Sequence, residues 1–204
     1  MIFPKAGLYA ITQTEDKTPI QVLADVNEAL KAGIQVLQYR DKNPDDAVYL
    51  AGALKELCHL HHIPFIINDD IDLAEEVGAD GVHLGQDDSQ LSYAREVLGD
   101  KAIIGVSCYD SIELALAAEK QSADYVAFGR FFPSSSKPLA APAQISTLQA
   151  AKQQITIPIV AIGGILPDNG EKLLSSGADL LAVIGGLFSE SPYESTLAYH
   201  GLLK

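Results

Sequence analysis

Gln38, Arg40 and Lys42 alternate along the segment VLQYRDK at 36–42. Alternate residues of a β-strand share one face, so this segment sets an amide and two cations side by side. On an inner face such a trio is costly unless it meets water or an anion. On an outer face the same residues would pair with Asp41, Asp45 or Asp46, and spacing alone leaves both arrangements open.

Carboxylates gather at two further points. Asn68, Asp69 and Asp70 close the apolar run PFIIND, and Asp87 and Asp88 follow GVHLG. Asp69 shares the face of Ile67, while Asp70 suits the N-cap of a helix starting at Ile71. Asp87, Asp88 and Ser89 compete for the same capping role before the next helix. Two neighbouring carboxylates suit a hard cation such as Mg²⁺, which takes one or two protein carboxylates and completes its shell with phosphate and water. Caps alone would account for both groups equally well.

Later in the chain the chemistry shifts from side chains to backbone. AIIGVS leads to Ser107, and YVAFGR leads into FFPSSSKP, where Ser134, Ser135, Ser136 and Lys137 offer hydroxyls, N–H groups and one ammonium. Gly163-Gly164 and Gly185-Gly186 follow two apolar runs at corresponding positions. Glycine permits a close approach of backbone to phosphate, though two tight turns without a ligand would read the same way. His83, between Val82 and Leu84, is expected to be a hydrogen-bonded core residue. The run HLHH at 59–62 is expected to be a solvated helix end, where imidazolium suits the negative end of the dipole.

These residues need a frame that brings the exits of many strands together. Short apolar runs at 7–12, 36–40, 64–69, 81–85, 102–107, 125–130, 158–164 and 180–186 read as strands. Helical patterns fall at about 20–32, 45–60, 71–78, 90–98, 111–121, 144–154, 168–176 and 193–203. Such alternation predicts parallel strands joined by right-handed crossovers. Eight units close into a single-domain (β/α)8 TIM barrel spanning 1–204, with a doubly wound open sheet as the rival. Gly-Ala-Asp at 78–80 and 177–179, with Ser-Ala-Asp at 122–124, marks a helix stop before strands four, six and eight. In a barrel the active site lies at the C-terminal ends of the strands, where Gln38, Arg40, Lys42, the Asn68–Asp70 and Asp87–Asp88 groups, Ser107, the 134–137 loop and the two Gly-Gly pairs are found.

Hydrophobic residues make up 48% of the 204 and charged residues 20%, enough for a sizeable core. The formal net charge of −13 argues against nucleic acid or an anionic membrane as partner. No apolar run is long enough to span a bilayer. The N-terminus lacks the pattern of a signal peptide, and Cys58 and Cys108 have neither metal-ligand spacing nor a secretory context. A cytoplasmic location with free thiols is expected, acting on small molecules as a monomer or homodimer.

Six ordered motifs resemble the thiamine-phosphate synthase family. They are Gln38-Tyr39-Arg40-Asp41-Lys42, Ile66 to Asp69, His83 to Asp88, the Gly-Val-Ser run ending at Ser107, the hydroxyl-rich loop ending at Lys137, and Gly163-Gly164-Ile165. The resemblance implies a Mg²⁺-dependent transferase that joins a pyrimidine methyl diphosphate to a thiazole ethyl phosphate, or its carboxylated tautomer, and releases pyrophosphate. It implies that the 38–42 segment, Asn68, Ser107 and Lys137 bind the pyrimidine diphosphate. Tyr39 and Asp41 belong to that segment, with their side chains expected to point away from the anion. It implies Asp69 and Asp88 as Mg²⁺ ligands, and the 134–136 loop, Gly164, Val183, Ile184 and Gly185 as the thiazole phosphate site. Arg40, Lys42 and Lys137 would stabilise the leaving group. Arg130 stands where the family commonly has proline, and Gly185 where it commonly has serine.

The residue types suit a dissociative substitution, which needs cations, carboxylates and amides but no triad. A thiazole tautomerase on the same barrel would need no diphosphate and metal constellation. A non-catalytic phosphate-ligand sensor would bind without releasing pyrophosphate.

Overall fold

The computed structural model describes residues 1–85, 88–133 and 141–203, and for 88 and 89 the backbone only. Eight parallel strands close into a barrel in sequence order: β1 (Gly7–Ile11), β2 (Val36–Tyr39), β3 (Phe65–Asn68), β4 (Gly81–Leu84), β5 (Ile103–Tyr109), β6 (Tyr125–Gly129), β7 (Ile159–Ile162) and β8 (Leu180–Val183). Leu8 of β1 pairs with Leu181 of β8, which closes the ring and removes both sheet edges. The doubly wound sheet is thereby excluded.

The helices follow as α1 (Pro19–Ala32), α2 (Ala47–Leu60), α3 (Ile71–Val77), α4 (Asp88–Leu98), α5 (Ile112–Lys120), α6 (Ile145–Lys152), α7 (Glu171–Leu174), α8 (Gly185–Phe188) and α9 (Pro192–His200). Local chemistry sets their ends. Thr18 and Gln21 form a reciprocal capping box at α1, Pro19 occupies its first turn, and Gly33 ends it in the left-handed conformation. Asp46, Asp70 and Ser111 accept N–H groups at the starts of α2, α3 and α5.

Four expected elements differ most from the observed ones; strand seven, expected to reach Gly164, stops at Ile162. Strand eight stops at Val183, and Gly185-Gly186 opens the short α8 instead of ending the strand. The helix expected over 168–176 is one turn, because Asn169 folds back to accept from the Leu166 N–H at 2.9 Å. Strand five runs past Ser107 to Tyr109, with a register irregularity between the two.

Two apolar layers result from the strand alternation. Leu8, Leu37, Phe65, Ile67, Val82, Phe128 and Leu181 face the helices. Tyr9, Val36, Ile66, Ile103, Tyr125, Val160 and Leu180 fill the barrel, and Phe3 stacks on Tyr125 at 4.0 Å between ring centres. Gly105 makes room for this filling, since a Cβ there would lie 2.0 Å from the Tyr125 ring.

The Ala-Asp repeat does more than stop helices. Asp80 accepts the N–H of Phe65, Asp124 that of Ile104, and Asp179 that of Ile159, each at 2.8 to 2.9 Å. Gln35 does the same for Leu8 in the first pair of strands. Each carboxylate also meets a cation or imidazole from the preceding even-numbered helix: His59, Arg95 or Lys152. The base of the barrel is thus latched as four pairs of strands. His59 of the HLHH run is spent on this latch.

Candidate active site at the barrel mouth

A cavity of about 340 Å³ opens at the C-terminal ends of the strands. Its polar wall carries Gln38, Arg40, Asn68, His83 and Ser107. Its other wall carries Gly129, Gly163, Gly164, Gly185 and Gly186, with Val183 and Ile184 beside them.

Strand two delivers its residues by alternation. Gln38 is buried in the barrel and donates from Nε2 to the Tyr9 hydroxyl at 2.9 Å. Arg40 lies just past the end of β2, where no ladder holds it. Buried Thr12 supplies the missing hold: its Oγ1 donates to the Arg40 carbonyl at 3.0 Å and accepts the Arg40 N–H at 2.8 Å. The Tyr39 side chain goes the other way, into the layer under the helices, where burial and the Asp41 and Asp46 carboxylates raise its pKa to about 12. Asp41 accepts the Asn43 N–H at 3.0 Å in the following turn. Neither side chain lines the cavity, as the alternation requires. Lys42 is exposed and also lies outside the cavity lining.

At the end of β3 the carboxylates divide their work. Asp70 caps α3 by accepting the Leu73 N–H at 2.9 Å. Asp69 is left off the helix, exposed, with φ at 64° and its N–H bonded to the His83 carbonyl. A non-glycine residue in this region is uncommon, and such conformations collect at functional sites. Asn68 donates from Nδ2 to Asp69 Oδ2 at 2.8 Å, which aims the carboxylate. Asp69 does not line the cavity itself; it stands beside Asn68, which does. Among the described residues, no group of three or more His, Cys, Asp or Glu side chains gathers as a metal cage. The Asp88 side chain and residues Ser134, Ser135, Ser136 and Lys137 lie outside the described residues.

The glycine wall is built by close approach. Gly163 and Gly164 have φ of 104° and 63°, open to glycine at little cost. A Cβ on Gly163 would fall 2.3 Å from the Arg130 Cβ, and one on Gly164 would fall 2.3 Å from the Pro133 carbonyl oxygen. The chain leaving β6 lies directly on this turn, with Phe131 and Phe132 donating to Ile162 and Gly163 carbonyls. Asn169 braces the turn by donating to the Gly164 carbonyl at 3.1 Å.

Among the side chains of the cavity that sequence spacing misses are one histidine and three tyrosines. His83, expected in the core, lines the cavity and bonds Tyr125 and Ser107. Tyr9, Tyr109 and Tyr125 also line it. For His83 a signal existed: it has the opposite strand parity to Val82 and Leu84, which face the helices, and so faces inward. Tyr9 and Tyr125 look like core aromatics in the sequence, and their rings are.

Comparison with known proteins agrees with this geometry. The family model for thiamine monophosphate synthase matches residues 8–187. The chain is 48% identical to the thiamine-phosphate synthase of Nitrosococcus oceani over 94% of this chain and 89% of that one. It is 52% identical to that of Saccharophagus degradans over 93% and 89% of the two chains. The chain belongs to the thiamine-phosphate synthase family. A solved structure of thiamine phosphate pyrophosphorylase from Pyrococcus furiosus superposes with a TM-score of 0.87 at 34% identity, covering 98% of this chain and 96% of that one. The sequence-based expectations of family, transferase class and TIM barrel stand with these matches. Among the described residues, no helix is long and apolar enough to cross a membrane.

Proposed function

We propose that this chain couples 4-amino-2-methyl-5-(diphosphooxymethyl)pyrimidine to 4-methyl-5-(2-phosphoethyl)thiazole, or its carboxylated tautomer, giving thiamine phosphate and pyrophosphate. The observation that carries this reading is one cavity divided between a polar wall and a glycine wall. The polar wall suits a diphosphate and a heterocycle with hydrogen-bonding edges. The glycine wall suits a second, smaller phosphate held by backbone N–H groups.

In the coupling, the methylene C–O bond breaks and a C–N bond to the thiazole nitrogen forms. Negative charge grows on the departing diphosphate. Arg40, clamped by Thr12, faces that charge, and Lys42 and Lys137 help to offset it. Gln38, Asn68 and Ser107 hold the pyrimidine diphosphate, while the 134–136 hydroxyls, Gly164 and the Val183-Ile184-Gly185 backbone hold the thiazole phosphate. The aminopyrimidine shares the positive charge left on the methylene, so the site needs no general base.

Asp69 and Asp88 would hold Mg²⁺, which when bound neutralises diphosphate oxygens. The donor set fits: Asp69 is relieved of capping by Asp70 and aimed by Asn68, and a hard oxygen pair plus substrate phosphates suits this ion. The chain is read as a single catalytic domain over 1–204, located in the cytoplasm, working as a monomer or homodimer.

The test is to mix both substrates with Mg²⁺ and follow pyrophosphate and thiamine phosphate. They are expected in equal amounts. Binding of either substrate without pyrophosphate release refutes the synthase reading and leaves a tautomerase or a sensor.

A further inference from the structure

A chain of five polar side chains crosses the floor of the cavity. Gln38 Nε2 donates to the Tyr9 hydroxyl at 2.9 Å. The hydroxyls of Tyr9 and Tyr125 are 2.7 Å apart, although 116 residues separate them in sequence. Tyr125 meets His83 Nδ1 at 3.0 Å, and His83 Nε2 meets Ser107 Oγ at 2.9 Å. All five line the cavity, and Tyr9 and Tyr125 are buried.

Each hydroxyl has one proton to give, so a chain in which every member passes its proton onward runs in one direction. Gln38 donates to Tyr9, and in the one-way arrangement Tyr9 gives its own proton to Tyr125. Tyr125 then gives its proton to His83 Nδ1. His83 carries its proton on Nε2 and gives it to Ser107 Oγ. The Ser107 proton is left to point into the cavity, and the Gln38 Oε1 is left as an acceptor. A buried chain with alternating donors and acceptors resists local reversal, because one flipped member leaves two groups in conflict. Burial raises the pKa of both tyrosines, which keeps them as neutral donors.

We propose that Tyr9, Tyr125 and His83 are positioning residues that act through this one-way chain, holding Ser107 as a hydrogen-bond donor and Gln38 as an acceptor toward the substrate. An aminopyrimidine offers an exocyclic N–H donor and ring-nitrogen acceptors, so the pair reads its edge. A 4-oxo analogue reverses that edge and is rejected. This proposal rests on the coupling reading for the identity of the ligand, but the direction of the chain does not.

Nitrogen-15 NMR of histidine-labelled, ligand-free protein tests the direction first. His83 is assigned by the signal missing in His83→Gln. A proton on Nε2 is expected, and a proton on Nδ1 overturns the proposal even if coupling activity is normal. Absence of coupling with the Nε2 proton in place would refute the proposed function and leave the chain direction standing. The second test is a double-mutant cycle on the coupling reaction. Tyr125→Phe keeps the ring stacked on Phe3 and is expected to lower kcat/KM for the pyrimidine substrate roughly 3- to 10-fold, the scale of one hydrogen bond. In a Ser107→Ala background the same change is expected to cost less than about twofold, because the two act as a unit. Equal cost in both backgrounds overturns the positioning role. Should Tyr125→Phe fold poorly, Tyr9→Phe replaces it in the same cycle, with the same two outcomes deciding.

Discussion

The two walls of the cavity are built on opposite principles. The polar wall works through side chains that hold each other: Asn68 aims Asp69, Thr12 clamps Arg40, and His83 joins Ser107 to Tyr125. The glycine wall works through side chains that are missing. Its turn at Gly163-Gly164 exists because the chain from β6 lies where two Cβ atoms would be. A polar wall is therefore vulnerable to losing an atom, and a glycine wall to gaining one. The second glycine pair sharpens the point, since among the described residues outside its own helix the nearest atom to the Gly185 Cβ position is the Gln13 Oε1 at 4.0 Å. The two pairs differ in where they are constrained: both glycines of the first are tight, whereas in the second Gly186 is tight, with a Cβ position 2.3 Å from the Tyr199 hydroxyl, and Gly185 is not.

The largest effect is expected from the polar wall. Asp69→Asn keeps a residue that tolerates positive φ and removes only the charge. Turnover at limiting Mg²⁺ is expected to fall about 10²–10³-fold, the usual cost of one preorganised charge-stabilising group. Near-normal turnover there would sink the metal assignment. Thr12→Val comes next, because it preserves shape while leaving the Arg40 N–H without its partner. A buried N–H left so costs about 1–3 kcal/mol, so kcat/KM for the pyrimidine diphosphate should fall roughly tenfold or more. If only thermal stability changes, Thr12 braces the fold and not the cation.

The glycine wall is expected to respond in smaller steps and in the other substrate. Gly164→Ala places a methyl on the Pro133 carbonyl at a left-handed position, a conformation that costs roughly 1–2 kcal/mol by itself. The KM for the thiazole phosphate is expected to rise about tenfold, with a lowered Tm. Gly185→Ala has room among the described residues and no positive φ, and alanine keeps the backbone N–H, so neither KM should change by more than about twofold. Steady-state kinetics of the two variants decides the matter: equal losses at 164 and 185 would mean that Gly185 is also a position of close approach.

Much of the site is legible in the sequence because a strand exit is a local pattern. Alternation places Gln38 and Arg40 on one face and sends Tyr39 to the other, and the division between Asp69 and Asp70 is visible as a choice between cap and ligand. Which of the two caps α3 is settled only by the turn that leaves Asp69 off the helix. His83 escapes such a reading because a lone histidine among apolar residues resembles a satisfied core residue. It is satisfied, but by partners on the cavity floor.

Taken alone, the amino-acid order determined the alternation of strands and helices, the parity of each strand, and the helix ends at Thr18, Gly33 and Asp70. These depend on neighbours within a few residues. Closure of the barrel decided what lies opposite what: Tyr9 against Tyr125, Asp124 against the Ile104 N–H, and the β6 exit against Gly163-Gly164. Hydrogen bonds and close contacts form over about 3 Å, and only the closed ring brings such distant segments within that reach.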